Sequence, residues 1–251
     1  MQRNPWLALP RKPPYVLPDD RYAVDEFNQK SRRKETILET EMLPEPFIGS
    51  LDAPLVMLLQ NPGNGAPEAD LARHRMPDFQ QKVRACHRQE VAQYPHYSVN
   101  PKEKAHPGGK WWQDKLKWQI KEFGPRVVAS GVLSLEFVPY HSTNYAHSRL
   151  HLPSQDFTLQ ALQRAIRREA TIIIQMGKGD EWMKAVPGLA NYRLLFRTSS
   201  WQGNYGAMIS PNNCRFASIA YGKKAVAEEG RPSGYEAARA ALGRVAIKQK
   251  S

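Results

Sequence analysis

The chain reads Pro54-Leu55-Val56-Met57-Leu58-Leu59 and then Gln60-Asn61-Pro62-Gly63-Asn64-Gly65, about a quarter of the way along its 251 residues. The first part is a short, continuous apolar run, as a strand buried on both faces of a parallel sheet requires. The second part is a cluster of asparagine, proline and glycine, which ends a strand abruptly. A buried strand that runs into a polar turn is typical of the carboxyl edge of a parallel sheet, where ligands bind.

Three further apolar segments follow and alternate with helical patterns. The strands are predicted at Ser130 to Val138, Thr171 to Met176 and Tyr192 to Arg197. Helices are predicted over 68–94, 111–123 and 158–170, after Ser210-Pro211, and from Ser233, where Glu236 completes a capping box. This alternation predicts an α/β fold of three layers, αβα, around a central four-stranded parallel sheet.

The predicted organisation is one domain with an appendage. Residues 1–50 read as a proline-rich arm with a short helix near Arg32 to Glu41, and residues 51–251 as a single α/β domain. Two isolated cysteines, Cys86 and Cys214, argue against a disulfide framework, and the scattered histidines lack metal-binding spacing. We therefore expect no metal and no other cofactor.

The charge balance favours a polyanionic partner. Lysine and arginine total 36 against 24 acidic residues, which gives a net charge of +12. Neutralising phosphates releases counterions, and interleaved aromatic side chains can stack on bases, so DNA is the expected partner. The alternative is a solvated basic surface. The chain has no apolar run of membrane-spanning length and no signal peptide, so a cytoplasmic monomer without membrane contact is expected.

Four polar or glycine-rich segments follow the predicted strands and would converge if the strands are parallel. They are Gln60 to Gly65, Glu136 to His141, Gly177 to Asp180, and Thr198 to Tyr205. An Asn61 amide held by a strand end and Pro62 could position a water molecule, while Gly63 would let a substrate approach the backbone. The alternative for Asn61 is an ordinary turn residue.

The turn and its downstream order resemble motifs of the uracil-DNA glycosylase superfamily. Gln60 and Pro62 match the G-Q-D-P-Y form of the family's first motif, and Asn61-Pro62-Gly63 matches the N-P-G form of the mismatch-specific branch. Tyr97-Ser98-Val99 resembles the aromatic element that stacks on the flipped base. Gly131 to Glu136 is similar to the G-V-L-L-L-N strand, and Ile172 to Gly177 to the next strand.

The resemblance covers roughly residues 54–216, and two positions depart from the family pattern. Ser200 stands where the uracil branch has a histidine that stabilises the departing base. Glu136 replaces the asparagine that reads the uracil edge. An ionised carboxylate only accepts hydrogen bonds and suits the exocyclic amine of cytosine. The alternative is that Glu136 pairs with a lysine or arginine and reads nothing.

The resemblance implies a role for each candidate residue. Asn61 would be catalytic and position water at C1′, and Gln60, Gly63, Tyr97, Glu136 and His141 would contact the base. Lys178, Ser199, Ser200, Trp201 and Tyr205 would contact DNA, with Trp201 or Tyr205 filling the gap that the flipped base leaves. Three of these residues have a purely structural alternative. His141 could be an ordinary strand-end histidine, Lys178 a solvated turn lysine, and Trp201 a residue that packs under its loop. The tryptophans of the segment Lys102 to Trp118 are assigned to the core.

The function predicted from these residues is that of a monofunctional DNA glycosylase, a hydrolase that flips a modified or damaged pyrimidine and cleaves its N-glycosidic bond. Amino-bearing modified cytosine is favoured over uracil, in DNA repair or in defence against phage. The alternative is a non-catalytic nucleic-acid-binding module on the same fold. An unrelated α/β hydrolase ranks last, because the chain has no G-x-S-x-G elbow.

Overall fold

The computed structural model describes residues 3–175, 180–198, 208–211, 213–214 and 232–249. These residues form an α/β structure around a mixed, mostly parallel sheet of five strands. The strands are β1 (Phe47–Ile48), β2 (Leu55–Leu59), β3 (Val132–Glu136), β4 (Thr171–Ile174) and β5 (Leu195–Arg197).

The strands lie in the order β1-β3-β2-β4-β5. β2 pairs in parallel with β3 on one side and with β4 on the other, and β1 adds an antiparallel edge to β3. After β3 the chain therefore crosses β2 to reach β4, which makes the carboxyl end of β2 a topological switch point. In open α/β sheets a switch point opens a crevice outside the strand ends, and this one lies at Gln60.

The strands belong to the core on both of their faces. Val56, Leu58 and Leu133 pack in one hydrophobic cluster, whereas Leu55, Met57 and Val132 pack in a second. Helices contribute to both clusters, so the sheet is the middle of three layers, as predicted.

Four of the nine α-helices in the described residues begin at a proline. The helices are α1 (Arg21–Lys30), α2 (Pro67–Arg75), α3 (Pro77–His87), α4 (Pro107–Lys115), α5 (Lys117–Phe123), α6 (Pro125–Gly131), α7 (Gln155–Arg167), α8 (Asp180–Ala185) and α9 (Gly234–Lys248). Proline suits the first helical position, because the missing N–H would have no partner there. The capping box of Ser233 and Glu236 is confirmed at the start of α9.

The strand count was predicted incorrectly. The sheet has five strands and not four, because the two-residue strand β1 is too short to leave a pattern in the sequence. The segment predicted to begin a strand at Ser130 first completes α6 and becomes β3 at Val132. The predicted fourth strand is shorter and starts at Leu195.

The first 50 residues pack against the domain. Trp6, Leu17 and Val24 are buried in the same cluster as β2 and α7. The helix predicted near Arg32 to Glu41 is wrong: α1 lies earlier, and Lys34–Thr36 forms a single 3-10 turn. Asp20, the residue before α1, does not cap the helix with its side chain. Its carboxylate accepts hydrogen bonds from Tyr140 Oη at 2.8 Å and from the Ser154 backbone N–H at 3.0 Å.

The predicted helices over 68–94 and 111–123 are each two helices. Pro77 separates α2 from α3, and Leu116 interrupts the second pair. The helix predicted after Ser210-Pro211 falls largely outside the described residues. No helix among those described is both long enough and apolar enough to cross a membrane.

Candidate functional site

A cavity of about 500 Å³ opens at the carboxyl ends of three parallel strands. Leu59 from β2, Glu136 from β3 and Ile174 from β4 meet there, and Glu136 stands opposite Leu59 in the sheet register. The predicted convergence of the strand-end segments is thus observed for Gln60 to Gly65 and for Glu136. The cavity has the position and size of a small-molecule or base-binding site.

Asn61 lines this cavity with its amide held in one orientation. Its Nδ2 donates to Ser142 Oγ at 2.9 Å and to the Pro62 carbonyl at 3.1 Å. Ser142 Oγ donates in turn to the Asn144 carbonyl at 3.0 Å, so it accepts from Asn61. The amide nitrogen is therefore fully committed, and Oδ1 is left as an acceptor.

Gln60 and Gly63 also line the cavity. The Gln60 carbonyl accepts from the Val138 backbone N–H at 2.8 Å, which continues the β2–β3 ladder beyond the strands. A Cβ atom added to Gly63 would meet no atom within 4 Å. Packing against the protein therefore does not require glycine here, and the space beside this backbone is open, as the sequence analysis expected for close approach of a ligand.

Glu136 is buried, with a side-chain Oε2 that has no hydrogen-bond partner. Burial raises the pKa of Glu136 well above its usual range, and the charge of Glu45 raises it further. A buried carboxyl without a partner favours the neutral acid, which donates one hydrogen bond and accepts another. The expectation of an ionised, acceptor-only Glu136 is corrected accordingly.

Two further carboxyl groups, Glu45 and Asp70, line the cavity although no sequence motif singled them out. Glu45 precedes β1, and burial raises its pKa against the opposing effects of His141 and Tyr97. Asp70 lies in α2 and accepts from the Ala66 backbone N–H at 3.1 Å. Among the described residues of the lining there is no lysine, arginine or histidine.

Three tryptophans line the cavity, namely Trp111, Trp112 and Trp182. Trp182 Nε1 donates to the Leu59 carbonyl at 2.8 Å, which ties α8 to the end of β2. Trp111 is 38% exposed and offers part of its indole to the solvent side. The assignment of all tryptophans of 102–118 to the core is wrong for Trp111 and Trp118, since both are 38% exposed. Periodicity alone did not separate them from Trp112.

Tyr97 does not line this cavity. Its buried ring meets Phe79 edge to face at 5.7 Å between centroids, and its hydroxyl donates to Glu45 Oε1. Tyr97 therefore orients a carboxyl of the cavity from behind, and the proposed stacking of a base on its ring has no support in this arrangement.

His141 lies in a smaller adjoining cavity of about 70 Å³, together with His74 and Glu45. The ring nitrogens of His141 face backbone carbonyls: Nε2 is 3.1 Å from the oxygen of Leu43, and Nδ1 is 3.3 Å from that of Gly63. His141 therefore holds the backbone around the turn, the alternative that the sequence analysis kept open.

Glu45, His74 and His141 bring potential metal-ligand atoms within 4.8 Å of one another. A metal-bound imidazole uses one nitrogen for the metal and keeps the other as an N–H donor. His74 Nδ1 instead accepts the Leu43 backbone N–H at 3.1 Å, so the proton of the neutral ring is on Nε2. Burial lowers the pKa of His74 well below its usual value, which favours that neutral ring. The hydrogen bonds thus fit two histidines that hold the Leu43 peptide, and we assign no metal to them.

Lys178, Ser199, Ser200, Trp201 and Tyr205 lie outside the described residues. Their predicted contacts with DNA stay predictions.

No protein-family model, no curated protein and no solved structure matches this chain. The site must therefore be interpreted from its own chemistry.

Proposed function

We propose that the chain is a DNA glycosylase that hydrolyses the N-glycosidic bond of a flipped, modified or damaged pyrimidine. The observation that carries this proposal is the pairing of Asn61 and Glu136 in one cavity at the switch point of the sheet. Asn61 offers its fixed Oδ1 as an acceptor, and Glu136 offers a carboxyl group that burial keeps in its acid form. The resemblance of roughly residues 54–216 to the uracil-DNA glycosylase superfamily is part of the same proposal.

Asn61 positions the attacking water. Because Ser142 and Pro62 occupy Nδ2, the free Oδ1 accepts a hydrogen bond from water and fixes where its lone pairs point. The C1′–N bond breaks with its electron pair passing to the base, the water oxygen bonds to C1′, and one water proton reaches the base. A dissociative bond cleavage needs orientation of the water more than strong basicity, so an amide suffices.

Glu136 recognises the edge of the base. As a neutral acid it donates to N3 of cytosine and accepts from the exocyclic amine, whereas uracil would reverse both roles. Rotation of a carboxyl permits both, so Glu136 alone does not exclude uracil. Glu45 and Asp70 add acceptors, and the described lining has no cation, which favours an amino-bearing base.

The cavity has room for more than an unmodified base. Its volume of about 500 Å³ lies within the range of small-molecule sites. A cytosine ring fills only part of that volume, and a substituent on the ring could fill the remainder. Trp111, at the exposed side, takes the stacking role that the sequence analysis gave to Tyr97. Such an activity would serve DNA repair or the removal of modified bases from phage DNA.

The test is release of a base from DNA. Duplexes and single strands that carry uracil, cytosine or substituted cytosines are incubated with the protein, and abasic sites are cleaved with alkali. We expect strand breaks on at least one amino-bearing substrate and mass-spectrometric detection of the free base. Asn61→Ala should reduce the rate by about 100-fold or more, because the water loses its position. Exposed Asn191→Ala is the matched control and should leave the rate unchanged.

Tight DNA binding without abasic product on any substrate would refute the enzyme proposal. That result would leave a nucleic-acid-binding module on the same fold.

A further inference from the structure

The segment from Lys104 to the start of α5 exposes a set of lysines and tryptophans beside the cavity. We call this set the Lys–Trp face and define it as Lys104 in the turn before α4, Lys110 and Trp111 of α4, and Lys117 and Trp118 of α5. Trp111 belongs both to this face and to the cavity lining. The face therefore begins where the proposed base pocket opens.

The two helices continue each other closely enough to present one surface. The backbone N–H of Leu116 donates to Trp112 O and that of Ile120 to Leu116 O, both at 2.9 Å, so the helical hydrogen bonds persist through the break. The inward stripe is formed by Trp112, Leu116 and Gln119, which are buried. Trp111 and Trp118 stand two turns apart on the outer side, separated along the axis by about 10 Å.

The positive charges of this face are close together. Asp114 accepts from Lys110 at 2.6 Å, and this bond, together with the charges of Lys104 and Lys117, lowers the pKa of Asp114. Lys115 Nζ lies 5.5 Å from the centroid of the Trp111 ring. Another acid of these helices, Glu122, is bound by Arg239 at 2.7 Å. Asp114 offsets the charge of Lys110, and Arg239 offsets that of Glu122, so Lys104 and Lys117 leave the face with a net positive charge.

We propose that the Lys–Trp face binds single-stranded DNA next to the nucleotide held in the cavity. Exposed tryptophan rings stack on bases, which are accessible in a single strand but paired and stacked in a duplex. The lysine side chains attract the negatively charged phosphates along the strand. This proposal takes its ligand from the proposed function, but it concerns binding and requires no catalysis.

Two variants and two controls test the face by fluorescence anisotropy with a labelled oligothymidine, over a range of salt concentrations. Replacing Lys104, Lys110 and Lys117 by glutamine should reduce the slope of log K against log salt by about 2, at about 0.7 for each phosphate contact in a single strand. The control replaces the exposed Lys12, Lys34 and Lys184 by glutamine, which removes the same charge from other elements. We expect this control to have a much smaller effect.

Trp118→Ala should weaken binding of the single strand at least about fivefold, the loss expected for one stacked base. Tyr22→Ala is its control, since Tyr22 is 77% exposed on α1. Thermal melting establishes that each variant is folded. Equal effects of the two lysine triples, or no effect of Trp118→Ala on single-strand affinity, would overturn the proposal. A duplex that binds as tightly as the single strand would overturn it too.

The assay separates this proposal from the enzymatic one. Measured in an Asn61→Ala background, binding by the face should persist without any base release. If no abasic product forms on any substrate but the lysine and tryptophan variants weaken binding as expected, single-strand binding by the Lys–Trp face is supported and the glycosylase proposal fails.

Discussion

The cavity and the Lys–Trp face meet at Trp111, but they carry opposite chemistry. The cavity gathers Glu45, Asp70 and Glu136 without a described cation, and two of these carboxyls have raised pKa values because they are buried. The Lys–Trp face carries exposed lysines. Burial makes acids neutral and suited to the edge of a base, whereas exposure keeps cations suited to phosphates.

In the proposed function, this difference separates two kinds of recognition by one chain. A net charge of +12 would attract any polyanion, and it says nothing about selectivity. Selectivity requires polar groups held in a fixed orientation, such as the Asn61 amide, or buried, such as the Glu136 carboxyl. If both proposals hold, the face supplies affinity and the cavity supplies specificity, and each region can be perturbed separately.

The largest expected loss of stability comes from breaking the ion pair that joins α2, beside the cavity, to the turn that carries Lys104 of the Lys–Trp face. Arg73 of α2 bonds Glu103 at 2.8 Å, just before α4, and their side chains are only 8% and 4% exposed. Arg73→Met should lower the free energy of unfolding by about 3 kcal/mol, the lower end for a broken buried ion pair, because Lys82 still contacts Glu103 at 2.6 Å. Urea unfolding measures this loss. Exposed Arg193→Met, which breaks an outer pair with Glu169, should change stability by less than about 1 kcal/mol.

A second prediction concerns how stability depends on pH through the buried Glu136. The pKa of Glu136 is raised in the folded protein. The stability that this shift contributes is fully present below the unfolded pKa of about 4.3, and it is lost as pH rises through the folded pKa. The wild type should therefore lose stability with rising pH relative to Glu136→Gln, which keeps a donor and an acceptor. Urea midpoints of both proteins, compared from acid to alkaline pH, measure the difference. A constant difference across that range would contradict a raised pKa.

Glu136→Gln also bears on the proposed reading of the base. We expect base release by this variant to persist at neutral pH, since the amide mimics the neutral acid, and its rate to lose any alkaline decline shown by the wild type. Glu136→Ala should abolish the preference among substrates, because neither hydrogen bond remains.

The smallest expected effect concerns Tyr97. Its hydroxyl donates to Glu45, so Tyr97→Phe should lower the free energy of unfolding by about 1 kcal/mol, the lower end for a lost bond to a partly buried acceptor. DNA affinity should be unchanged, because the ring does not line the cavity. Weaker binding of DNA without loss of stability would instead restore Tyr97 as a stacking residue.

Several features were predictable because they are local. The apolar run of β2, the polar turn after it and the capping box of Ser233 and Glu236 each depend on neighbouring residues alone. The α/β class followed from alternation of such segments. The placement of Asn61 and Glu136 at one edge followed from the parallel arrangement of their strands.

Other features were not predictable, since distant packing decides them. Glu45 and Tyr97 meet only because β1 joins the edge of β3, and a strand of two residues leaves no pattern. Trp111 and Trp112 are adjacent in sequence, and only the docking of α4 determines that one is exposed and the other buried.

By itself the sequence thus determined a buried strand that runs into the turn at Asn61, a basic chain and the candidate Glu136, because composition and short-range pattern suffice for these. Only the tertiary structure decided the burial that raises the pKa of Glu136, the presence of Glu45 and Asp70 in the same cavity, and the division between an acidic cavity and a basic face. The physical reason is that desolvation and charge coupling depend on which distant groups are brought together, and a linear pattern does not contain that information.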